Sequence, residues 1–487
     1  MQDIVNSLNG LIWSPALIYL CLGVGVYFSI RTRFMQVRHL REMIRLMFDG
    51  KASDEGVSSF QALTMTLSGR VGIGNIAGVA TAIAFGGPGA VFWMWMMAFL
   101  GASTSYIECT LGQIYKQRVD GQLRGGPAYY IERGLGMRWY AIAFALATIL
   151  GCGILLPGMQ ANGIASGLSN GFGIPAETTA LGVVLALGLI VFGGVKRIAR
   201  FAEIIVPFMA LGYILMAGVV VALHISDLPE VIRLIVSSAL SFDAGFGAMI
   251  GLAIQWGVKR GVYSNEAGQG SGPHAAAAAE VSHPAKQGIV QSFAVYVDTL
   301  FVCSATAFMI LITGKYNVVN PEGGFLFSGL AGVQAGAGFT QSAVESIFPG
   351  VGAMFVGVAL LFFAFTTIIA YYYIAETNVA YLLRNEKARS VALFALKFAL
   401  LATTVYGAVR SSDLAWGLGD IGVGLMAWLN IIAILLLQKP ALKALNDYEA
   451  QQAKGLEPEF DPRALGIENA DYWVHRADNA VEPDHRK

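Results

Sequence analysis

Residues 68–78 read SGRVGIGNIAG, so four glycines, an arginine and an asparagine interrupt a segment that is otherwise apolar. The letters also contain the dinucleotide fingerprint G-x-G-x-x-A, but that fingerprint requires a strand before it. Here the flanking FQALTMTLS and VATAIAFGG are apolar and helical in character. A packing face on a membrane helix, with Gly74 and Gly78 four residues apart, would explain the glycines. It leaves Arg70 and Asn75 unexplained.

The composition of the whole chain indicates a membrane protein. Of its 487 residues, 55% are hydrophobic and only 13% are charged, whereas a soluble domain carries about a quarter charged residues. Long apolar runs recur almost to residue 437. The predicted class is therefore an all-α polytopic membrane protein. The formal net charge is zero, which gives no indication of nucleic-acid binding, and the four cysteines lie in apolar runs without metal-ligand spacing.

Eleven apolar segments are long enough to cross a bilayer, which takes about 20 residues. They lie at 11–30, 58–85, 88–115, 139–161, 177–195, 201–223, 243–273, 288–314, 350–383, 391–410 and 414–437. The connections on one side hold 25 of the 32 Lys and Arg residues, and those on the other side hold three. The positive-inside rule therefore predicts an external N-terminus and a cytoplasmic C-terminus.

The seventh segment is interrupted in the same way as the second. Its GVKRGVYSNEAG ends in Asn265-Glu-Ala-Gly268, 190 residues after the Asn75-Ile-Ala-Gly78 of the second segment. We call these interruptions the first break and the second break. Five segments begin at each break, and the predicted topology makes the two interrupted segments run in opposite directions. This pattern is typical of secondary transporters built from an inverted repeat.

The pattern predicts four regions along the chain. They are an N-terminal span with a basic cytoplasmic loop (1–57), a first repeat (58–223), a second repeat with a long external loop at 315–349 (224–437), and a polar tail (438–487). In the external loop, FTQSAVESIF could form a helix over an entrance. GGPAYYIERGLG (125–136) is amphipathic and is expected at the cytoplasmic membrane interface. The tail is interpreted as a solvated appendage.

Broken helices have a physical use inside a membrane. Unsatisfied backbone groups are tolerated at that depth only around a buried or wet cavity. The free N–H groups at a helix start suit a substrate carboxylate, and the free carbonyls at a helix end suit a sodium ion. Asn75 would add a neutral oxygen to a cation shell.

Three stretches resemble the alanine/glycine:cation symporter family. They are GNIAGVATAIAFGGPGAVFWMW (74–95), RGVYSNEAGQGSGPHAAAAAEVSHPAKQG (260–288) and VDTLFVCSATAFMILITG (297–314). The resemblance covers essentially the whole chain. It implies a LeuT-type five-plus-five fold preceded by one extra span, and uptake of small amino acids coupled to Na⁺ or H⁺.

The resemblance also implies site residues. Substrate binding is assigned to Gly72, Ile73, Gly74, Asn75, Gln160 and Trp256, with the N–H groups of Ile73 and Gly74 on the carboxylate. Cation binding is assigned to Ser68, Gly69, Val71, Asn75, Thr366 and Thr367. Each residue also has an ordinary structural interpretation, because threonines in membrane helices often bond their own backbone and a glutamine can join two helices. This chain departs from the family pattern at Ile73, which is commonly Thr, and at Ala370-Tyr371, where Gly-Trp is frequent.

Arg70 needs a partner, because an unpaired arginine at mid-bilayer costs about 2.5–3.5 kcal/mol on insertion scales. Four candidates are Glu266, Glu108, Asp298 and the substrate carboxylate. A Glu266 shared between Arg70 and Arg260 could tie the two breaks together, either as a structural ion pair or as part of coupling.

The predicted function is symport of alanine and glycine with Na⁺ across the bacterial cytoplasmic membrane. The alternatives are H⁺ coupling, a solute channel, or a membrane-embedded enzyme. An enzyme is disfavoured because the six histidines lie in loops or near span ends, with no HExxH motif or nucleophile elbow. The expected partners are a small amino acid and the lipid bilayer. Sodium is the only metal expected, and no obligate protein partner is implied.

Overall fold

The computed structural model describes residues 2–49, 56–193, 195–240 and 247–481, and almost all of its regular structure is helical. The α-helices are Gln2–Ile12, Pro15–Arg31, Met35–Arg38, Leu40–Met47, Ser59–Arg70, Val79–Gly86, Gly89–Ile114, Pro127–Leu135, Arg138–Leu150, Leu156–Phe172, Ala176–Val191, Val195–Leu223, Leu228–Leu240, Gly247–Asn265, Gly272–Ala278, Pro284–Tyr296, Ser304–Thr313, Ala337–Ile347, Gly352–Leu382, Glu386–Ala408, Ser412–Ala453 and Asp471–Val481. The π-helical segments are Gly74–Gly78, Gly151–Leu155 and Val297–Cys303. Two small antiparallel hairpins pair Gln117–Val119 with Gln122–Arg124, and Asn317–Val319 with Phe325–Ser328.

The helices account for the predicted membrane segments. Within the described residues, seven helical segments are long and apolar enough to span a membrane, and two bent helix pairs bring the number to nine. The predicted segments 177–195 and 243–273 contain the shorter helices Ala176–Val191 and Gly247–Asn265, while residues 194 and 243–246 lie outside the described part of the chain. The polytopic helical class is confirmed. The total of eleven crossings and the inverted repeat stay predictions.

The first break is a sharp bend in the second span. The helix Ser59–Arg70 begins at a capping box between Ser58 and Gln61 and ends at Arg70. The chain then turns by 52° and continues as Gly74–Gly86. The helix is thus interrupted at residues 71–73, where the glycine-rich sequence predicted an interruption.

The second break lies between the helices Gly247–Asn265 and Gly272–Ala278. Three of its residues have left-handed backbones, with φ of 56° at Glu266, 84° at Gly268 and 86° at Gly270. Glycine adopts this conformation without the steric cost that a side chain brings. The sequence AGQG therefore supplies two of the three left-handed positions at low cost, and Glu266 is the exception.

The helix Leu156–Phe172 passes unusually close to two neighbours because glycines meet at the crossings. A Cβ added at Gly407 would lie 2.2 Å from the Cα of Gly158, and one added at Gly357 would lie 2.7 Å from the carbonyl oxygen of Gly167. Small residues let membrane helices approach until their backbones touch. This packing brings Leu156–Phe172 to the centre of the protein, beside the first break.

Two of the predicted segments outside the spans form helices. The helix Ala337–Ile347 forms within the connection 315–349, as FTQSAVESIF predicted. The helix Pro127–Leu135 forms within 125–136 and buries Tyr129, Tyr130 and Ile131 in the protein. Its position at the cytoplasmic membrane interface stays a prediction.

The expectation of a solvated tail is wrong. Phe460, Ile467, Ala470 and Trp473 are buried, so the polar tail sequence contains an apolar face that packs on the body of the protein.

Candidate substrate and cation site

The N–H groups at the first break point toward a single glutamine and an asparagine. The Gly72 N–H donates to Oδ1 of Asn75 at 2.8 Å, and the Ile73 N–H donates to Oε1 of Gln160 at 3.1 Å. The Nε2 of Gln160 in turn donates to the Tyr263 hydroxyl at 2.9 Å. The structure therefore brings the predicted Gln160 to the backbone of the first break and links it to the helix that precedes the second break.

The residues around the first break leave no room for larger side chains. A Cβ at Gly72 would lie 2.5 Å from Oγ1 of Thr367, and one at Gly74 would lie 2.8 Å from Cε1 of Tyr263. Contacts under 3.0 Å essentially never occur for real Cβ atoms. Both glycines are therefore required by close packing on the facing helices.

A cavity of about 790 Å³ leads to this site from one face of the protein. We call it the vestibule. Ile73 and Ala77 line its inner end, and residues of the helix Ala337–Ile347, of the connection 409–411 and of the start of the helix Ser412–Ala453 line its outer part. The ring centroids of Trp416 and Tyr263 are 5.6 Å apart. By the predicted topology, the vestibule opens to the external side.

A buried carboxylate lies where the two broken helices meet. Asp298 accepts hydrogen bonds from Nδ2 of Asn75 at 2.6 Å, from Oγ of Ser264 at 2.9 Å, and from Oγ1 of Thr299 at 2.7 Å. All four side chains are fully buried. No Lys, Arg or His nitrogen in the described part of the chain lies within 4.0 Å of Asp298. Asp298 was expected only as a partner for Arg70, although an aspartate in the apolar run VDTLFVC is itself a signal of function.

The residues predicted to bind a cation are only partly assembled. The Thr367 hydroxyl bonds the Phe363 carbonyl at 2.9 Å and also reaches the Val71 carbonyl at 3.4 Å, so it contacts the first break. The Thr366 hydroxyl bonds the carbonyls of Phe362 and Phe363 in its own helix. Thr366 therefore behaves as threonines in membrane helices often do, with its hydroxyl bonded to its own backbone.

Ser68 and Gly69 lie on a separate small cavity. This cavity has a volume of about 10 Å³, and Glu266 and Ala275 also line it. The Ser68 hydroxyl donates to the Met65 carbonyl at 2.7 Å. Glu266 accepts from Ser271 at 2.7 Å through Oε2, while its buried Oε1 has no hydrogen-bond partner.

Arg70 does not form the expected ion pair. Its guanidinium donates to the Gln291 carbonyl at 3.0 Å and to the Ser105 hydroxyl at 3.1 Å. Within the described residues, no carboxylate forms a salt bridge with it. Polar groups of two neighbouring helices therefore bind two of its three nitrogens, and Nε has no partner among the described residues.

The proposed sharing of Glu266 by Arg70 and Arg260 is also wrong. Arg260 pairs with Asp420 at 2.8 Å, and Lys259 pairs with the same carboxylate at 2.7 Å. The Arg260 guanidinium also lies 4.6 Å from the Trp416 ring centroid. Arg260 faces the last span because it precedes the second break by more than one helical turn, whereas Glu266 lies within that break.

Glu108, another candidate for Arg70, closes the second break instead. Its two carboxylate oxygens accept the N–H groups of Gly268 and Gly270, each at 3.1 Å, and Asn430 donates to it at 2.7 Å. A carboxylate that accepts backbone N–H groups stabilises an otherwise unsatisfied turn. Glu108 thus has a structural explanation.

Trp256 does not reach the first break. It stacks on Phe85 with ring centroids 4.7 Å apart, and its Cβ limits the space beside Gly86. Trp256 lies about two helical turns before Tyr263 on the same helix. The aromatic ring beside the first break is therefore that of Tyr263.

Two broken membrane helices, a buried polar cluster between them and a vestibule that leads to it define a membrane transporter. The fold is similar to that of a solved variant of the Eremococcus coleocola manganese transporter, with a TM-score of 0.51 and 14% identity over 86% of this chain and 92% of that one. At this identity the likeness concerns the fold alone.

The chain belongs to the sodium:alanine symporter family, whose family model matches residues 1–462. YrbD of Bacillus subtilis (strain 168) is 63% identical over 97% of this chain and 98% of its own length. The sodium/proton-dependent alanine carrier protein of Bacillus sp. (strain PS3) is 54% identical over 88% and 97%. The sodium/alanine symporter AgcS of Methanococcus maripaludis is 37% identical over 93% and 99%. The predicted family is confirmed, and the chain is a transporter and not an enzyme.

Proposed function

We propose that this protein imports alanine and glycine together with Na⁺ across the bacterial cytoplasmic membrane, with its N-terminus outside and its C-terminus in the cytoplasm. The names of the relatives support alanine as a substrate and sodium, or sodium and protons, as coupling ions. The excess of Lys and Arg on one side supports the orientation.

The observation that carries the proposal is the environment of Asp298. An ionised carboxylate is costly to bury unless a positive charge or a full set of donors compensates it. Asp420 has Lys259 and Arg260 for this purpose, but Asp298 has only neutral donors. Glu108 and Glu266 also have no salt bridge among the described residues, but only Asp298 accepts hydrogen bonds from the chain of both broken helices. We therefore assign the mobile cation to Asp298.

The position of this cluster suits coupling. Asn75 belongs to the chain that follows the first break, and Ser264 lies just before the second break. A cation held by Asp298 would draw these two groups together and so bias both broken helices at once. Substrate affinity and cation affinity would then depend on each other, as linkage requires.

The hydrogen bonds around Asp298 favour Na⁺ over H⁺. Asn75, Ser264 and Thr299 all donate to the carboxylate. The Nδ2 group of Asn75 can only donate, so it stabilises the ionised carboxylate, whereas the hydroxyls of Ser264 and Thr299 could also accept from a protonated one. A proton remains the second candidate, because the name of the relative from strain PS3 includes proton dependence.

The amino acid is proposed to bind at the inner end of the vestibule. Its carboxylate would take the Ile73 N–H that Gln160 now accepts, and its side chain would face Ile73 and Ala77. Both of these side chains are apolar, and Gly163 packs directly against Ile73. A small apolar side chain such as that of alanine fits this description.

Uptake of labelled alanine into proteoliposomes tests the proposal, with Na⁺ replaced by choline at two pH values. We expect accumulation with an inward Na⁺ gradient at both pH values and none with choline. Accumulation in choline driven by a pH gradient would establish H⁺ coupling instead. Equilibration without accumulation would indicate a channel.

Asp298→Asn tests the cation site itself. This variant should lose Na⁺-driven accumulation, because the amide keeps the shape of the side chain but not its charge. Asp227→Asn is the matched control, since Asp227 is exposed in the connection between two helices. Normal accumulation by Asp298→Asn would remove Asp298 from the cation site.

A further inference from the structure

The end of the chain lies across one face of the protein, opposite the vestibule. Residues 457–481, which we call the strap, include the helix Asp471–Val481 and the buried side chains of Phe460, Ile467 and Trp473. Trp473 is only 1% exposed. A segment packed this firmly is part of the folded body of the protein.

The strap binds the loop that follows the second broken helix. The Phe460 N–H donates to the Ser282 carbonyl at 3.1 Å, and the Ser282 hydroxyl donates to the Pro458 carbonyl at 2.8 Å. Arg476 donates to the Val281 carbonyl at 2.6 Å. This loop directly follows Gly272–Ala278, the helix beyond the second break.

The same face holds the beginning of the first broken helix. Val57 forms a parallel bridge with Ala279, in which the Val57 N–H donates to the Ala278 carbonyl and the Glu280 N–H donates to the Val57 carbonyl, each at 3.0 Å. Because Ser59–Arg70 begins just after Val57, the two broken helices are joined to each other at this face.

Trp473 reinforces this junction from the outside. Its indole N–H donates to the Gln113 carbonyl at 2.9 Å, and its ring lies 5.0 Å from the Lys116 ammonium. Lys116 and Gln113 both donate to the Ala279 carbonyl, at 2.8 Å and 2.9 Å. The strap is therefore bonded to the loop after the second broken helix, and the bridge between Val57 and Ala279 connects that loop to the start of the first broken helix.

We propose that the strap is a latch that keeps the cytoplasmic side of the transporter closed while the vestibule is open. The proposal rests on the proposed function for its direction of transport. The vestibule of about 790 Å³ opens on the opposite face, whereas the small cavity beside Ala275, on the strap side of the breaks, has a volume of about 10 Å³. Release of substrate on the strap side requires the two broken helices to separate there, and the strap must let go of residues 281–282 for that to happen.

A cysteine reporter measures this opening. Ala275→Cys places a thiol on the small cavity, and the native Cys21, Cys109, Cys152 and Cys303 are all buried. In inside-out vesicles, a membrane-impermeant maleimide reaches this thiol only when the strap side opens. Labelling of the protein without the reporter gives the background.

Trp473→Ala in the reporter protein should label about tenfold faster, because loss of a buried ring and its hydrogen bond shifts the equilibrium toward the opened form. Arg476→Ala should also speed labelling, but by less. Because Arg476 is exposed, this variant should fold even if Trp473→Ala does not. Asp478→Ala is the control within the strap, because its partner Arg463 is exposed and belongs to the strap as well.

The outcomes separate the two proposals. Faster labelling of Trp473→Ala or Arg476→Ala, with Asp478→Ala unchanged, supports the latch. Unchanged labelling in both variants, with folded protein and normal alanine uptake, overturns it. A parent protein that transports no alanine would overturn the proposed function, whereas the labelling rates would still report on the strap.

Discussion

Gly163→Ala should weaken alanine binding through a side chain that Gly163 touches. A Cβ at this position would lie 2.2 Å from Cδ1 and 2.7 Å from Cγ1 of Ile73. Ile73 must then move, and the open space beside it is the vestibule. Overpacking a filled site costs about 1–3 kcal/mol. If that cost falls on the bound state, the concentration of alanine for half-maximal uptake rises by about 5- to 150-fold, at 1.4 kcal/mol for each factor of ten.

The assay is Na⁺-driven alanine uptake over a range of alanine concentrations, with a double-mutant cycle. Ile73→Ala removes Cγ1 and Cδ1 and leaves a Cβ at 3.3 Å, so Gly163→Ala should cost little in that background. Gly182→Ala is the control, because nothing lies within 4 Å of its added Cβ. Gly163→Ala is measured in the parent protein and in the Ile73→Ala variant. If it weakens alanine uptake equally in both, its contact with the Ile73 side chain is not the cause, and the prediction is refuted.

Two further predictions concern the cation and the buried charges around Asp420. Thr367→Ala should raise the Na⁺ concentration needed for half-maximal uptake and Thr366→Ala should not, because only Thr367 reaches the Val71 carbonyl. A Na⁺ titration at saturating alanine measures this, and an equal rise in both variants would contradict it. Asp420→Asn leaves buried Lys259 and Arg260 without their carboxylate, so it should destabilise the protein by about 3–5 kcal/mol. Thermal unfolding in detergent measures the loss, with exposed Asp413→Asn as the control, and a shared melting temperature would refute it.

The class of the protein and the location of its breaks were predictable from the sequence. Glycines and polar residues inside an apolar run leave a local signature, because a helix at membrane depth can be interrupted only where other groups satisfy its backbone. SGRVGIGNIAG therefore contains the first break, which the structure narrows to 71–73, and GVKRGVYSNEAG ends where the second break begins. The helix Ala337–Ile347 was predictable for the same reason, because the ten consecutive residues FTQSAVESIF were enough to indicate it.

The partners of the buried charges depended on tertiary structure. Arg260 was expected at Glu266, six residues away, but it pairs with Asp420 in the last span. Asp298 came to lie between Asn75 and Ser264 through the packing of three helices that are distant in the sequence. No local pattern specifies which faces of these helices meet.

The packing of the strap was likewise not predictable from the local sequence. The sequence of residues 438–487 is polar on average, and this average suggested a solvated tail. Trp473 and Phe460 are too few to mark a core by themselves, and they are buried because they pack on residues such as Gln113 and His283 that are distant in the sequence. The sequence alone determined where the helices break and which class of protein they form. The tertiary structure decided which groups meet across those breaks, because contacts between distant helices are set by the packing of the whole bundle.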